Sequence, residues 1–216
     1  MTMLLREQRE LVVEFGKKLV AQGLTEGTFG TLSVFDRREG LMAISPSGMD
    51  YDATTPEDVA VMTPEGRQVD GRRAPSSEAD LHRLFYLRRS DVNGVVHTHS
   101  TFATVLSCLR WTIPPIHYLV AYSGREVPCI PYYPFGTLEL AEGAWAAMGE
   151  EYNACLLGNH GLLAVGGSLS FAFDAAQQIE FLAKVYYYAR TAGGGMPLTQ
   201  AELEGVLGKF QHYRQA

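Results

Sequence analysis

The chain has 216 residues, 46% of them apolar and 19% charged, with a formal net charge of −6. Those values suit one compact α/β domain over residues 1–216 with a substantial core, and no repeat period or low-complexity tract divides it. The acidic balance, with no basic run longer than the arginine pairs at 37–38, 72–73 and 88–89, argues against a nucleic-acid surface.

Cys108, Cys129 and Cys155 are an odd, widely spaced set without C-x-x-C, which argues against a disulfide framework or a thiolate zinc site. The N-terminal segment carries Arg6, Glu7, Arg9, Glu10, Glu14, Lys17 and Lys18, so it reads as neither a signal peptide nor a membrane span. The expected setting is a reducing cytoplasm with no membrane partner.

Leu5, Val12, Phe15 and Leu19 fall near helical spacing, and Gly23 follows as a stop. Residues 27–35 read as a glycine-rich turn entering a strand, with 41–44 as its hairpin partner and 59–62 as a further short strand. A helix is expected to start at Pro75-Ser76-Ser77-Glu78-Ala79-Asp80, with Ser77 and Asp80 at capping-box spacing and Glu78 in the first turn. Gly94 to Thr98 reads as a strand, and a short helix is expected over 101–109. The proline-rich stretch 111–133 reads as irregular and partly extended. Strands are expected at 154–157 and 162–165, then a long helix over about 170–192, and a last helix opening at Thr199-x-x-Glu202. The resulting fold class is α/β, with a mixed or mainly antiparallel central sheet flanked by helices.

The chemistry concentrates in a few residues. The period of two along a strand places His97 and His99 on one face, where two imidazoles can share an ion. His160, in a glycine-flanked turn after 154–157, supplies a third nitrogen, and Glu78 supplies a carboxylate that can act as ligand or base. Three histidines and an open position suit a divalent Lewis acid. Gly27 to Thr31, Ser45-Pro46-Ser47-Gly48 and Ser76-Ser77 offer amides, hydroxyls and a helix N-terminus to a phosphate, although turns and caps use the same residues. His82, four residues after Glu78, is either an orienting partner of that carboxylate or a satisfied core histidine. A lysine Schiff base has few candidates, because the only lysines are Lys17, Lys18, Lys184 and Lys209.

Seven motifs resemble, in order, the class II aldolase and adducin family, specifically its fuculose-phosphate aldolase branch: Gly27-Thr28-x-Gly30, Ser45-Pro46-Ser47-Gly48, Pro75-Ser76-Ser77-Glu78, His97-x-His99, Ile116-His117-Tyr118, Pro131-Tyr132-x-x-Phe135-Gly136-Thr137 and Asn159-His160-Gly161. The likeness runs from the first helix to Lys209-Phe210-x-x-Tyr213. It implies α/β/α layers around a mainly antiparallel sheet, one zinc ion per subunit, and a homotetramer with active sites between subunits.

Carried over by position, the resemblance implies that His97, His99, His160 and Glu78 hold the metal. Glu78 would also shuttle a proton when substrate is bound. Gly30, Thr31, Ser47, Gly48, Ser76 and Ser77 would hold the substrate phosphate. Tyr118, from a neighbouring subunit, would handle the hydroxyl proton, and Phe135 and Tyr213 would line the aldehyde side. The implied reaction is retro-aldol cleavage of a ketose 1-phosphate, fuculose 1-phosphate or similar, to dihydroxyacetone phosphate and an aldehyde. Thr31 departs from the asparagine usual in fuculose-phosphate aldolases, so substrate identity stays open. A dehydratase, a decarboxylase or a 4-epimerase on the same scaffold, and a non-catalytic adducin-like module, are the alternatives.

Overall fold

The computed structural model describes residues 3–213, with side chains to residue 210. Its elements are α1 (Arg6–Ala21), β1 (Thr31–Asp36), β2 (Leu41–Ile44), β3 (Ala60–Met62), β4 (Gln68–Asp70), α2 (Ala79–Arg88), β5 (Gly94–Thr98), α3 (Thr101–Leu109), a 3-10 turn (Tyr118–Tyr122), α4 (Leu138–Met148), β6 (Ala154–Leu157), β7 (Gly161–Gly166), α5 (Leu169–Thr191) and α6 (Gln200–Tyr213). The strands form one sheet in the order β4-β3-β2-β1-β5-β7-β6, and every ladder is antiparallel. No helix among the described residues is long and apolar enough to cross a membrane.

Side-chain alternation along the strands divides the core in two. Leu32, Val34, Val96, Leu162 and Ala164 join Val12, Phe15 and Leu19 of α1, Leu106 of α3 and Ile179 and Leu182 of α5. Phe35, Val95, Leu163 and Val165 join Leu81, Leu84 and Phe85 of α2 and Leu140, Ala144 and Met148 of α4. The sheet is thus covered on both faces, which is why its inner strands are apolar almost throughout. By the same alternation Thr31 and Ser33 of β1 and His97 of β5 share the face that carries α2. These polar side chains enter an otherwise apolar layer at the end where α2 begins.

Two elements were not expected from sequence. α4 follows Thr137, whose Oγ1 accepts the Leu140 N–H at 3.3 Å, and β4 is a three-residue edge strand beside β3. The start of α2 is also corrected: Glu78 is itself the cap residue, its N–H donates to Ser76 Oγ at 3.3 Å, and Asp80 pairs with Arg83 instead of closing a box with Ser77. The box at Thr199 and Glu202 does form, with the Thr199 N–H donating to Glu202 Oε2 at 2.8 Å and the Glu202 N–H donating to Thr199 Oγ1 at 3.4 Å.

Candidate metal centre and substrate cleft

Three elements deliver four ligand atoms to one place. His97 lies in β5 with its ring fully buried, and its Nδ1 donates to the Leu162 carbonyl of β7 at 3.0 Å. That bond fixes the tautomer and leaves the Nε2 lone pair for the cleft side. His99 follows two residues on, where the Phe102 and Ala103 amides at the start of α3 donate to the Glu180 carboxylate of α5 at 2.8 Å each. His160 sits in the β6–β7 turn beside Asn159, which adopts φ +53°, a conformation asparagine tolerates. Asn159 Oδ1 accepts from Arg110 Nε at 3.0 Å and from Arg110 Nη2, and the His160 N–H reaches Leu157 O at 3.0 Å.

The four side chains converge. His97 Nε2 lies 2.9 Å from His99 Nε2 and 3.0 Å from Glu78 Oε2, while His160 Nε2 is 3.5 Å from Glu78 Oε1. All four donor atoms fall within 4.8 Å of one another. The rings meet edge to face in pairs, at 69° to 73°, so their nitrogens aim at a shared centre. Glu78 Oε1 is buried without a hydrogen-bond partner, and two imidazole nitrogens face each other where at most one proton can lie between them. A divalent cation resolves both features, and a set of three nitrogens and one carboxylate oxygen suits a borderline ion such as zinc.

Electrostatics point the same way. Burial pushes the His99 imidazole down to about 3 and the His160 imidazole to about 4, each helped by the neighbouring His97, so both are neutral at physiological pH, the form that can ligate a metal. Burial would raise the Glu78 carboxyl, but the charge and hydrogen bond of His97 are the main influences that outweigh it and hold the group at about 2. His97 is opposed by burial and moved upward by Glu78.

A cleft of about 430 Å³ opens above this centre. Gly30, Thr31, Ser47, Gly48, Ser76 and Ser77 line one part of it, Glu78, His99 and His160 another, and Phe29, Tyr132 and Phe135 are exposed around it. Among the described residues, no lysine or arginine lines it. An isolated bridge between Pro46 and Pro75 zips the two serine segments together, with the Ser47 N–H on Ala74 O and the Ser76 N–H on Ser45 O. Those amides are therefore engaged, and Ser47, Ser76 and Ser77 line the cleft, while Ser45 is buried with its Oγ accepting the Leu32 N–H at 3.2 Å. Thr31 Oγ1 and Ser76 Oγ are 2.9 Å apart and act as one unit.

The expected site residues thus assemble, with two exceptions. Tyr118, more than half exposed in the 3-10 turn, lines a separate depression with Leu119, Tyr122 and Lys209. Tyr213 ends α6, and its side chain lies outside the described residues. Sequence reasoning missed Phe29, whose ring stacks on His99 at a centroid distance of 5.6 Å, together with Tyr132 and Asn159. The signal was present for all three: Phe29 stands next to Gly30, and Tyr132 and Asn159 belong to motifs already quoted.

A three-layer α/β fold thus places three histidines and a glutamate that could hold a metal ion beside a cleft lined in part by serines and a threonine. The family model described as Class II Aldolase and Adducin N-terminal domain matches residues 10–187. A 5-deoxy-D-ribulose 1-phosphate aldolase of Bacillus thuringiensis is 44% identical over 99% of this chain and 100% of its own. A 5-methylthioribulose-1-phosphate/5-deoxyribulose-1-phosphate aldolase of Rhodospirillum rubrum is 39% identical over 95% of this chain and 91% of its own. Among solved structures, an L-fuculose 1-phosphate aldolase superposes with a TM-score of 0.93 at 42% identity, covering 97% of this chain and 98% of the other. The chain belongs to the class II aldolase and adducin family. Its enzymatic class is that of the aldehyde-lyases.

Proposed function

We propose that the protein cleaves a ketose 1-phosphate between C3 and C4 to dihydroxyacetone phosphate and a short aldehyde, with 5-deoxyribulose 1-phosphate or a 5-substituted relative as its preferred substrate. The observation that carries this reading is Glu78 facing three convergent histidines at the floor of a cleft that has hydroxyls on one part and exposed aromatic rings on another. The relatives at 44% and 39% identity bear 5-deoxyribulose phosphate names, which turns the reading from a fuculose-type substrate toward a pentulose. The uncharged aromatic surroundings suit the methyl end that 5-deoxyribulose presents.

In this reading residues 1–216 act as one domain within a homotetramer. The hydroxyls of Thr31, Ser47, Ser76 and Ser77, with the glycine backbones of Gly30 and Gly48, bind the phosphate. His97, His99, His160 and, before substrate arrives, Glu78 hold one zinc ion. When bound, the ion supplies fixed positive charge at the ketone oxygen as the C3–C4 electron pair moves toward it. Tyr118 of a neighbouring copy takes the proton from the C4 hydroxyl, the C3–C4 bond breaks, and C4 leaves as the aldehyde carbon. Glu78 delivers a proton to C3 and completes dihydroxyacetone phosphate. Phe135 and Tyr213 border the departing aldehyde.

The test compares kcat/KM for 5-deoxyribulose 1-phosphate and fuculose 1-phosphate, with wild type and Glu78→Gln side by side. We expect the pentulose to be favoured and the variant to lose about 10²–10⁴-fold, the range for removing a general acid–base group. Preference for fuculose 1-phosphate would return the assignment to the hexulose, and an unimpaired variant would remove Glu78 from the chemistry.

A further inference from the structure

Behind the metal centre lies a buried polar chain that the proposed mechanism leaves unused. Ser33 of β1 and His82 and Tyr86 of α2 are all at most 2% exposed, in a layer otherwise filled by Phe35, Leu81, Phe85 and Val95. Ser33 Oγ is 2.7 Å from His82 Nδ1 and 2.6 Å from Tyr86 Oη. A buried polar chain is retained at a cost unless each member is satisfied.

Counting hydrogens fixes its direction. Burial raises the Tyr86 phenol, so it keeps its proton. Ser33 is the side-chain partner of that hydroxyl, so satisfying the phenol requires Tyr86 to donate to Ser33 Oγ. Ser33 must then donate to His82 Nδ1, and a neutral His82 carries its remaining proton on Nε2. The opposite direction would bury the phenolic hydrogen without an acceptor. Burial, aided by His97, lowers the His82 imidazole to about 3, which keeps it neutral.

His82 Nε2 is a fully buried donor without a hydrogen-bond partner, and Glu78 Oε1, 3.5 Å from His160 Nε2, is a buried acceptor without one. The two residues stand four apart, with Glu78 capping the helix that carries His82, so about one turn of chain separates them, and each feels the other's charge. We propose that His82 is a positioning residue whose Nε2–H receives the Glu78 carboxylate when Glu78 turns from the histidines to work on the substrate proton. Tyr86 and Ser33 hold the imidazole in the tautomer that can donate. The carboxylate then has a fixed resting point one turn along α2, aimed at the C3 proton in every turnover.

This inference rests on the aldolase reading, and a partial reaction separates the two. Glu78 removes a proton from C3 of dihydroxyacetone phosphate, the C–H electron pair moves to the C2 carbonyl oxygen, and return of a deuteron from D₂O labels C3 without any aldehyde. The experiment measures this labelling, together with cleavage, metal content and melting temperature, in zinc-loaded wild type, His82→Asn and His82→Gln. Asparagine keeps a group near Nδ1 for Ser33 and lacks the Nε2 donor, whereas glutamine places an amide N–H near the Nε2 position. We expect His82→Asn to lose about 10- to 100-fold in exchange and in kcat, the range of one lost hydrogen bond to a charged group. KM and bound metal should stay near wild type, and His82→Gln should recover most of the loss. Wild-type exchange in His82→Asn, or equal losses in both variants that follow metal content or melting temperature, would overturn the positioning role. A wild-type protein that neither labels nor cleaves would overturn the aldolase reading, and the proposal with it.

Discussion

Gly30 ties the backbone geometry of the cleft to that of β5, and a single substitution there tests the contact. It adopts φ +81° just before β1, and a Cβ built on it would stand 3.0 Å from the His97 carbonyl oxygen. Ordinary C···O approaches are about 3.3–3.6 Å, so Gly30→Ala asks β1 and β5 to part by roughly 0.3–0.6 Å beside the Thr31–His97 pair. Yielding is hindered, because the Gly30 carbonyl accepts a 3.0 Å hydrogen bond from the buried Tyr51 hydroxyl. A left-handed conformation costs a residue with a Cβ about 1–2 kcal/mol, and forced overpacking adds about 1–3 kcal/mol. The expected loss is about 2–5 kcal/mol, or a drop in Tm of roughly 4–20 °C for a chain of this size. Gly23→Ala is the control, since Gly23 has φ +67° with nothing within 4 Å of the point a Cβ would occupy, and it should lose only the backbone part. Urea and thermal unfolding of both variants, with a metal titration of each folded protein, measure the difference. Equal destabilisation of the two, with unchanged metal affinity in Gly30→Ala, would refute the claim that Gly30 is packed against the His97 backbone.

Other outcomes follow from the same physics. Arg9 is buried against Asp70 and the Pro56 carbonyl, so Asp70→Ala should destabilise by about 3 kcal/mol, the low end for breaking a buried pair because Asp70 keeps solvent contact. Equilibrium unfolding of that variant checks it. The Thr55 hydroxyl, opposed by desolvation and aided by the Thr55 amide, holds the Asp58 carboxyl below its ordinary value. Its contribution is therefore complete above the unfolded value of about 3.9 and lost as pH falls through the folded one. The gap in Tm between wild type and Asp58→Asn should accordingly be constant above about pH 5 and narrow as pH falls below about 3.9. Thr31→Val keeps the shape of the side chain and removes its bond to Ser76 Oγ. It should raise KM for the sugar phosphate by roughly 3- to 10-fold, as one neutral hydrogen bond is worth, with little change in metal content.

Much of the site was legible because its chemistry is local in sequence. His97 and His99 share a strand face by period alone, and Glu78 and His160 stand next to turn residues that mark where elements end. The strands of the central sheet were readable as apolar runs, since burial on both faces leaves little polar alternation to confuse them. α4 was missed because Thr137, its cap, closes a motif already assigned to a loop, although Leu140, Ala144 and Met148 repeat at helical spacing. β4 was missed because Gln68 and Val69 are exposed and the strand has too few residues to show a pattern. The helix start at Glu78 turned on which of two adjacent serines supplies the hydroxyl, and the Glu78 N–H goes to Ser76, a choice that sequence spacing does not reveal. His82 was open between two roles in sequence, because its bond to Ser33 comes from a strand 49 positions away.

The most direct measurement incubates the zinc-loaded protein with 5-deoxyribulose 1-phosphate and follows both products by NMR. Cleavage between C3 and C4 requires dihydroxyacetone phosphate and acetaldehyde to appear in equal amounts as substrate disappears, and to stop when the metal is removed. Consumption of the substrate without dihydroxyacetone phosphate, through loss of water or inversion at C4, would contradict aldol cleavage as the chemistry of this site.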